Sequence, residues 1–485
     1  MKRDIITIGV LTLLFLNSTW GQPTSRIRSY SETTVSDVHL QVYKSTFSTL
    51  LYYKESATNR NIFIFRNKKY TLPILTNTYG EISYSVNDMK VAGDCCFFCG
   101  KMVIPTEPPL PPPIIDRSSG FDEKGYIACL YLDSIDNPYN PNVRCRFSFI
   151  EETYEMTKMA IYSYSGDTAI ALIGKYGNPD HTSCLVSVTS SGSSWQNNVY
   201  YFTDTTETLT DIALTDKCLV TASRFGGETT TFGVRYVNLY DFFYSTNITD
   251  YTSLNKFDTH NLLTNPPSPP ATAWHRNDAT IRIVAVPSSN NVIIGQECHY
   301  FNGPPGSISS YINLYQIDGN NPYNIFMTKA HRTFCVPTFP DVFYDMQYIP
   351  SINKIAILQK HPNTNFNYTG TLNIVSLYSN TQEYYSSNYI IMSSMDITAN
   401  KYVWIGGINM ENNTIVQTCQ DITAHLNSCH PIGSSNITNL TPLPNNIQST
   451  TTIINIVNPM LWRYKSRDVP AITHYDIPCI RPLED

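Results

Sequence analysis

Thr210-Asp211-Ile212-Ala213-Leu214, a turn at Thr215-Asp216-Lys217, and then Cys218-Leu219-Val220-Thr221-Ala222 read as two short strands folded back on each other. After Gly226-Gly227 comes a third run, Phe232-Gly233-Val234-Arg235-Tyr236-Val237-Asn238-Leu239. Branched and aromatic residues fill the runs, polar residues and glycine fill the gaps, and no stretch holds a helical period.

The phrase recurs. It returns as Asp345-Met346-Gln347-Tyr348-Ile349 with Lys354 to Leu358 and Gly370 to Val375, and as Asp396-Ile397-Thr398 with Tyr402 to Gly407 and Thr414 to Val416. Earlier copies begin at Asp88-Met89-Lys90-Val91, at Lys158-Met159-Ala160-Ile161 and at Ile281-Arg282-Ile283-Val284. A weaker first copy covers Leu40 to Val42, Thr49 to Tyr53 and Asn61 to Phe65. With the opening example these make seven, starting roughly 45 to 70 residues apart, which is the spacing of propeller blades.

One such sheet cannot bury both of its faces alone, whereas sheets stacked around an axis bury them against one another. The unbroken run Ala169-Ile170-Ala171-Leu172-Ile173 suits a strand covered on both sides, and Gly100, Gly174, Ala222, Gly295 and Gly406 suit blades converging near an axis. The expected fold is all-β, a single seven-bladed β-propeller over residues 22–485. Two β-sandwich domains are the runner-up.

At the N-terminus Lys2 and Arg3 precede an apolar run from Ile5 to Leu16, and Thr19 and Gly21 stand at the −3 and −1 places of a cut before Gln22. This is the pattern of a cleaved secretory leader over residues 1–21, too short to span roughly 30 Å of hydrocarbon comfortably. The expectation is an exported chain, in the periplasm, at the cell surface or outside the cell, with no transmembrane segment after cleavage. A net charge of −6 without a basic stripe argues against nucleic acid as a partner. The proline-rich stretch within 103–124 (PTEPPLPPP from Pro105) falls between two strands of one repeat and reads as a stiff projecting loop. The tail, 450–485, is β-rich at its start and is expected to help close the ring with the first repeat.

Twelve cysteines are too few for a disulfide-built scaffold but allow local bridges. Cys419 and Cys429 bracket a polar loop and form one candidate disulfide; Cys99 and Cys129, on neighbouring strands, form another. Cys419, His425, Cys429 and His430 have metal-capable side chains, but an oxidising compartment favours the disulfide, so no metal or cofactor is expected.

No phosphate-cradling loop, nucleophile elbow or His-Glu-x-x-His is present. A sialidase-type Ser-x-Asp-x-Gly-x-x-Trp turn is matched only in its second half, by Gly192-Ser193-Ser194-Trp195, with Ser190 where the aspartate belongs. Trp195, Tyr200, Tyr201 and Phe202, and Phe242, Phe243, Tyr244 and Tyr251, form two aromatic groups suited to sugar or peptide surfaces and still better to packing between blades.

Gly21-Gln22 at the end of the leader, Val86-Asn87-Asp88-Met89 followed by Phe97-Phe98-Cys99-Gly100, and Gly125-Tyr126-Ile127-Ala128 resemble uncharacterised secreted β-propeller proteins of Bacteroidetes bacteria. The resemblance covers most of the chain and implies a fold and a compartment, not a reaction. With no catalytic residue assigned, the expected function is a non-catalytic binding or assembly module of the bacterial envelope, its protein or glycan partner unidentified. A glycan-active hydrolase working in the axial cleft and a structural surface protein are the alternatives.

Overall fold

The computed structural model describes residues 25–476 except for connecting segments, chief among them 107–120, 133–144, 245–252, 259–272, 334–341, 361–369, 423–431 and 462–474. Seven antiparallel sheets stand around one axis. Their innermost strands are Val35–Val42, Gly80–Ala92, Thr153–Tyr164, Glu207–Leu214, Ile281–Ala285, Val342–Ile349 and Ile390–Thr398, which we number blades 1 to 7. Each innermost strand touches the next, and that of blade 7 touches that of blade 1, so the ring is closed. The protein is a seven-bladed β-propeller.

The repeated phrase supplies the first three strands of every blade. Blade 4, for example, runs Glu207–Leu214, Cys218–Phe225, Glu228–Asn238 and Ser253–Asp258 outward from the axis. Between the blades lie seven apolar clusters, one at each junction, each built from the facing sides of two neighbours. Alternation along a strand explains how one run serves two clusters. Ile170 and Leu172 face blade 2, while Ala169, Ala171 and Ile173 face blade 4.

Ring closure differs from expectation. The outer strand of blade 7 is Ser25–Tyr30, paired antiparallel with Thr414–Asp421 so that Arg26 lies opposite Cys419. The chain thus lays down one strand of its last blade before it begins its first. That edge being taken, the C-terminal strands go elsewhere. Ile432–Asn436, Thr438–Asn439, Ile447–Thr451 and Ile454–Leu461 add an outer strand to blades 6, 5, 4 and 3 in turn, and Tyr475–Asp476 adds one to blade 1. The tail is a belt running back around the rim, covering strand edges that would otherwise offer unpaired backbone groups.

The small residues near the axis serve two purposes. A Cβ on Gly174 would collide with the carbonyl oxygen of Glu155 in its own blade, where the neighbouring strand bulges. A Cβ on Gly295 would sit 2.7 Å from the ring of Phe343 in the next blade, so this glycine does let blades converge.

Blade 4 also holds a fully buried ion pair. Arg235 Nε donates to Glu207 Oε1 at 3.0 Å, Nη2 donates to Oε2, and both side chains are at most 1% exposed. Burying both charges is tolerable only while they satisfy each other. Glu207→Ala should therefore cost about 3–5 kcal/mol in denaturant-monitored unfolding. Replacing both residues by apolar side chains of similar volume should recover most of that loss.

Candidate functional site

The first two strands of blades 1, 2, 3, 4, 6 and 7 slip in register near the start of their pairing. A bulge re-aims the side chain that follows it. Those residues are His39, Asp88, Lys158, Asp211, Asp345 and Ser394; Arg282 occupies the corresponding place in the regular inner strand of blade 5. Around the axis, the identities therefore run His, Asp, Lys, Asp, Arg, Asp, Ser.

Side chains at and beside these positions fasten most of the blades to the next through backbone groups. Asp88 accepts from its neighbour Met89 N at 3.0 Å and from Met159 N of blade 3 at 2.9 Å. Asp211 does the same with Ile212 N at 3.0 Å and Ile283 N of blade 5 at 2.9 Å. Ser394 accepts from Leu40 N of blade 1 at 2.9 Å, and Asp396, two residues on, accepts from Val42 N at 2.7 Å and Ile397 N at 2.8 Å. The basic residues work in reverse. Arg282 Nε donates to Tyr344 O of blade 6 at 2.7 Å. His39 Nε2 lies 3.1 Å from Val86 O of blade 2, a contact in which only the ring can donate. Gln347 supplies the link from blade 6 to Met395 O of blade 7, at 2.7 Å.

The electrostatics follow from enclosure and alternation. Burial lowers the pKa of His39 and so favours the neutral ring, which donates to Val86 O in the tautomer protonated at Nε2. Burial by itself would lower Lys90, but Asp88, Asp345, Asp396 and Asp211 together outweigh it and hold the ammonium above its ordinary range. Asp88 is 6% exposed and burial alone would raise it. Lys158, Lys90, the Met159 N–H and His39 pull it below the usual carboxylate value. Asp345 is raised, chiefly by burial, with Asp211 adding to the effect and Lys158, Lys90 and Arg282 opposing it. Asp396 is pushed up to about 6, again chiefly by burial, against the help of Val42 N–H and Lys90.

Asp88, Asp211 and Asp396 thus each spend their oxygens on two backbone N–H groups, and they act as inter-blade clasps. Among the described residues no cluster of three or more His, Cys, Asp or Glu side chains could hold a metal ion.

At the rim, Asn238 caps a short helix, Leu239–Tyr244, accepting from Tyr240 N at 2.9 Å and Asp241 N at 3.3 Å. Leu239, Phe242 and Phe243 turn inward, where Phe243 stacks on Tyr162 and Phe242 meets Tyr200. Tyr240 and Tyr244 turn outward, 72% and 49% exposed, with ring centroids 5.5 Å apart. Of the aromatic groups singled out in the sequence, Tyr200, Phe242 and Phe243 are packing residues and Tyr244 is a surface residue. Trp195, Tyr201 and Phe202 lie in Ser194–Phe202, whose side chains are not described for these positions, and Tyr251 lies outside the described residues.

Cys99 and Cys129 do not face each other. The register sets Ile127 opposite Cys99 and Phe97 opposite Cys129, and both cysteines are buried thiols. Cys419 is buried opposite Trp404 and Arg26; Cys429, His425 and His430 lie outside the described residues. The axial charges went unread as a site, although the repeats themselves begin at Asp88, Lys158, Asp211 and Asp345. Aligning those first residues is the signal that would have found them. Blade 7 was the misleading one, because its true counterpart is Ser394 and not Asp396.

No protein-family model and no curated protein matches the sequence. Among solved structures, the chain is similar to the WD40 domain of SCAP from fission yeast, at 10% identity and a TM-score of 0.33 over 81% of this chain and 94% of that one. It is also similar to the Bombyx mori GH32 beta-fructofuranosidase BmSUC1, at 10% identity and a TM-score of 0.30 over 86% and 94%. Likeness at this level bears on neither chemistry nor partners.

Two measurements test the clasps. Asp88→Ala removes the acceptor of two backbone donors and should lower unfolding free energy by about 2–4 kcal/mol. For Asp396 the folded pKa of about 6 lies above the ordinary 3.8, so the folded state holds the extra proton between these values. Its contribution to stability is then fully present below pH 3.8 and is lost as pH rises towards 6. Carbon-13 titration should place the Asp396 midpoint near pH 6, and Asp396→Asn should remove this part of the pH dependence.

Proposed function

We propose that this chain is an exported, non-catalytic binding or assembly module of the bacterial envelope, presenting a ring-stiffened rim to a protein or glycan partner. One observation carries the reading. Asp88, Asp211 and Asp396, carboxylates of the kind a hydrolase of this shape would need as a mobile acid and base, each accept one backbone N–H from their own strand and one from the adjoining blade. A carboxylate accepting two such bonds is a poor general base, since proton transfer would break the fold's own fastening.

The leader pattern over residues 1–21 supports export, and the closing strand Ser25–Tyr30 begins just behind the expected cut. The outward tyrosine pair supports surface recognition, because flat rings with a polar tip can stack on a sugar or cover a peptide while their hydroxyls stay wet.

The hydrolase reading keeps one specific support. Asp345 is raised, chiefly by burial, and its Oδ1 accepts from Met346 N of its own strand at 2.8 Å. A raised carboxyl is what a general acid requires.

Purified residues 22–485 should bind envelope glycan or polypeptide fragments by calorimetry without converting them. The Tyr240→Ala, Tyr244→Ala double variant should weaken that binding roughly tenfold, the usual size of an anchoring aromatic contact. Asp345→Asn should leave it unchanged. Turnover of any glycan that disappears in Asp345→Asn would replace this reading with the hydrolase. N-terminal sequencing of protein recovered from the envelope should start at Gln22; retention of Met1 in the cytosol would remove the export.

A further inference from the structure

Blade 2 gathers Cys95, Cys96, Cys99, Cys129 and Cys145 into three adjacent strands. Alternation puts Cys96 and Cys145 on the face towards blade 1, and Cys95, Cys99 and Cys129 on the face towards blade 3. Leu130 stands between Cys96 and Cys145, paired with both. Two strand spacings, roughly 9–10 Å, therefore separate those two backbones, which is too far for a disulfide.

On the other face the outcome is different. Cys129 lies opposite Phe97, so Cys95 and Cys99 occupy the two diagonal places beside it. A flat ladder would make these equivalent, but the right-handed twist of a sheet shortens one diagonal and lengthens the other. Of the two, Cys95 acts on Cys129, whose thiol it pushes up together with burial. Cys95 is half-exposed beside the turn at Gly93-Asp94, while Cys129 is 1% exposed beneath it.

We propose that Cys95 and Cys129 form a reversible disulfide joining the second and third strands of blade 2. In the presence of a low-molecular-weight disulfide such as oxidised glutathione, the accessible Cys95 thiolate attacks a glutathione sulfur and releases one glutathione thiol. Cys129 then attacks the Cys95 sulfur of the mixed disulfide and releases the second. The protein loses two protons and two electrons, the oxidant gains both, and one S–S bond replaces another. The bond closes the chain segment that contains the proline-rich stretch after Pro105. It does not depend on the envelope reading, because it follows from blade 2 alone.

The test uses the purified chain equilibrated with oxidised and reduced glutathione at fixed ratios, then alkylated, digested and sequenced by mass spectrometry. The expected result is a peptide linked through Cys95 and Cys129, lighter by two hydrogens, that disappears in excess reduced glutathione and in Cys95→Ser. It should persist in Cys96→Ser and Cys99→Ser. Oxidised wild type should also melt at a higher temperature than reduced wild type, with the difference abolished in Cys95→Ser. A link from Cys129 to Cys99, or both thiols fully alkylated at the most oxidising ratio, would overturn the proposal.

Discussion

The structure depends on one requirement, that each sheet face be covered by the next sheet until the last covers the first. Hydrophobic burial supplies most of the driving force, but it is non-directional and does not fix the angle between two sheets. The side chains at the bulges do. By accepting from or donating to backbone groups across six of the seven junctions, His39, Asp88, Asp211, Arg282, Gln347 and Ser394 tie the inner strands together around the bore. Apolar contact makes the stack, and directed polar contact sets its register.

Alternation of charge around the bore follows the same logic, and it meets an arithmetic obstacle. Acceptor and donor residues take turns through blades 1 to 6, so Asp88 and Asp211 sit between nitrogen-bearing neighbours, while Asp345 has Arg282 on one side only. Seven is odd, and the pattern must fail once. It fails at blade 7, where the ring position holds the neutral Ser394 between Asp345 and His39. The surplus carboxylate, Asp396, is displaced two residues along the strand and is pushed up to about 6, chiefly by burial. The misfit is thus confined to a single blade and softened by a group able to hold a proton.

Much of the fold was legible in the chain because the repeated phrase encodes strands buried on both faces, and Ala169 to Ile173 lies where such a strand must lie. Closure was not legible. Ser25–Tyr30 carries no signal that distinguishes a partner at Thr414–Asp421 from one in the first blade, since strand pairing at long range leaves no local trace. The axial residues lie at or within two residues of the start of each copy, yet in six blades their roles depend on a bulge, and a bulge is not written in hydrophobic alternation. The relation of Cys99 to Cys129 was not legible for a related reason. Being on neighbouring strands and the same face does not make two residues opposite, and only the register and twist decide which diagonal closes.

The strand that completes blade 7 is also among the first segments of the chain to be made. Its partner in the sheet, around Cys419, is nearly the whole length of the polypeptide away, and bringing such distant ends together carries an entropic charge on the order of 5 kcal/mol. No amount of early blade formation can satisfy it. Sealing the circle requires Thr414–Asp421 and Ser25–Tyr30 in the same space, so a nascent chain that has not yet reached Thr414 holds an open arc and not a wheel.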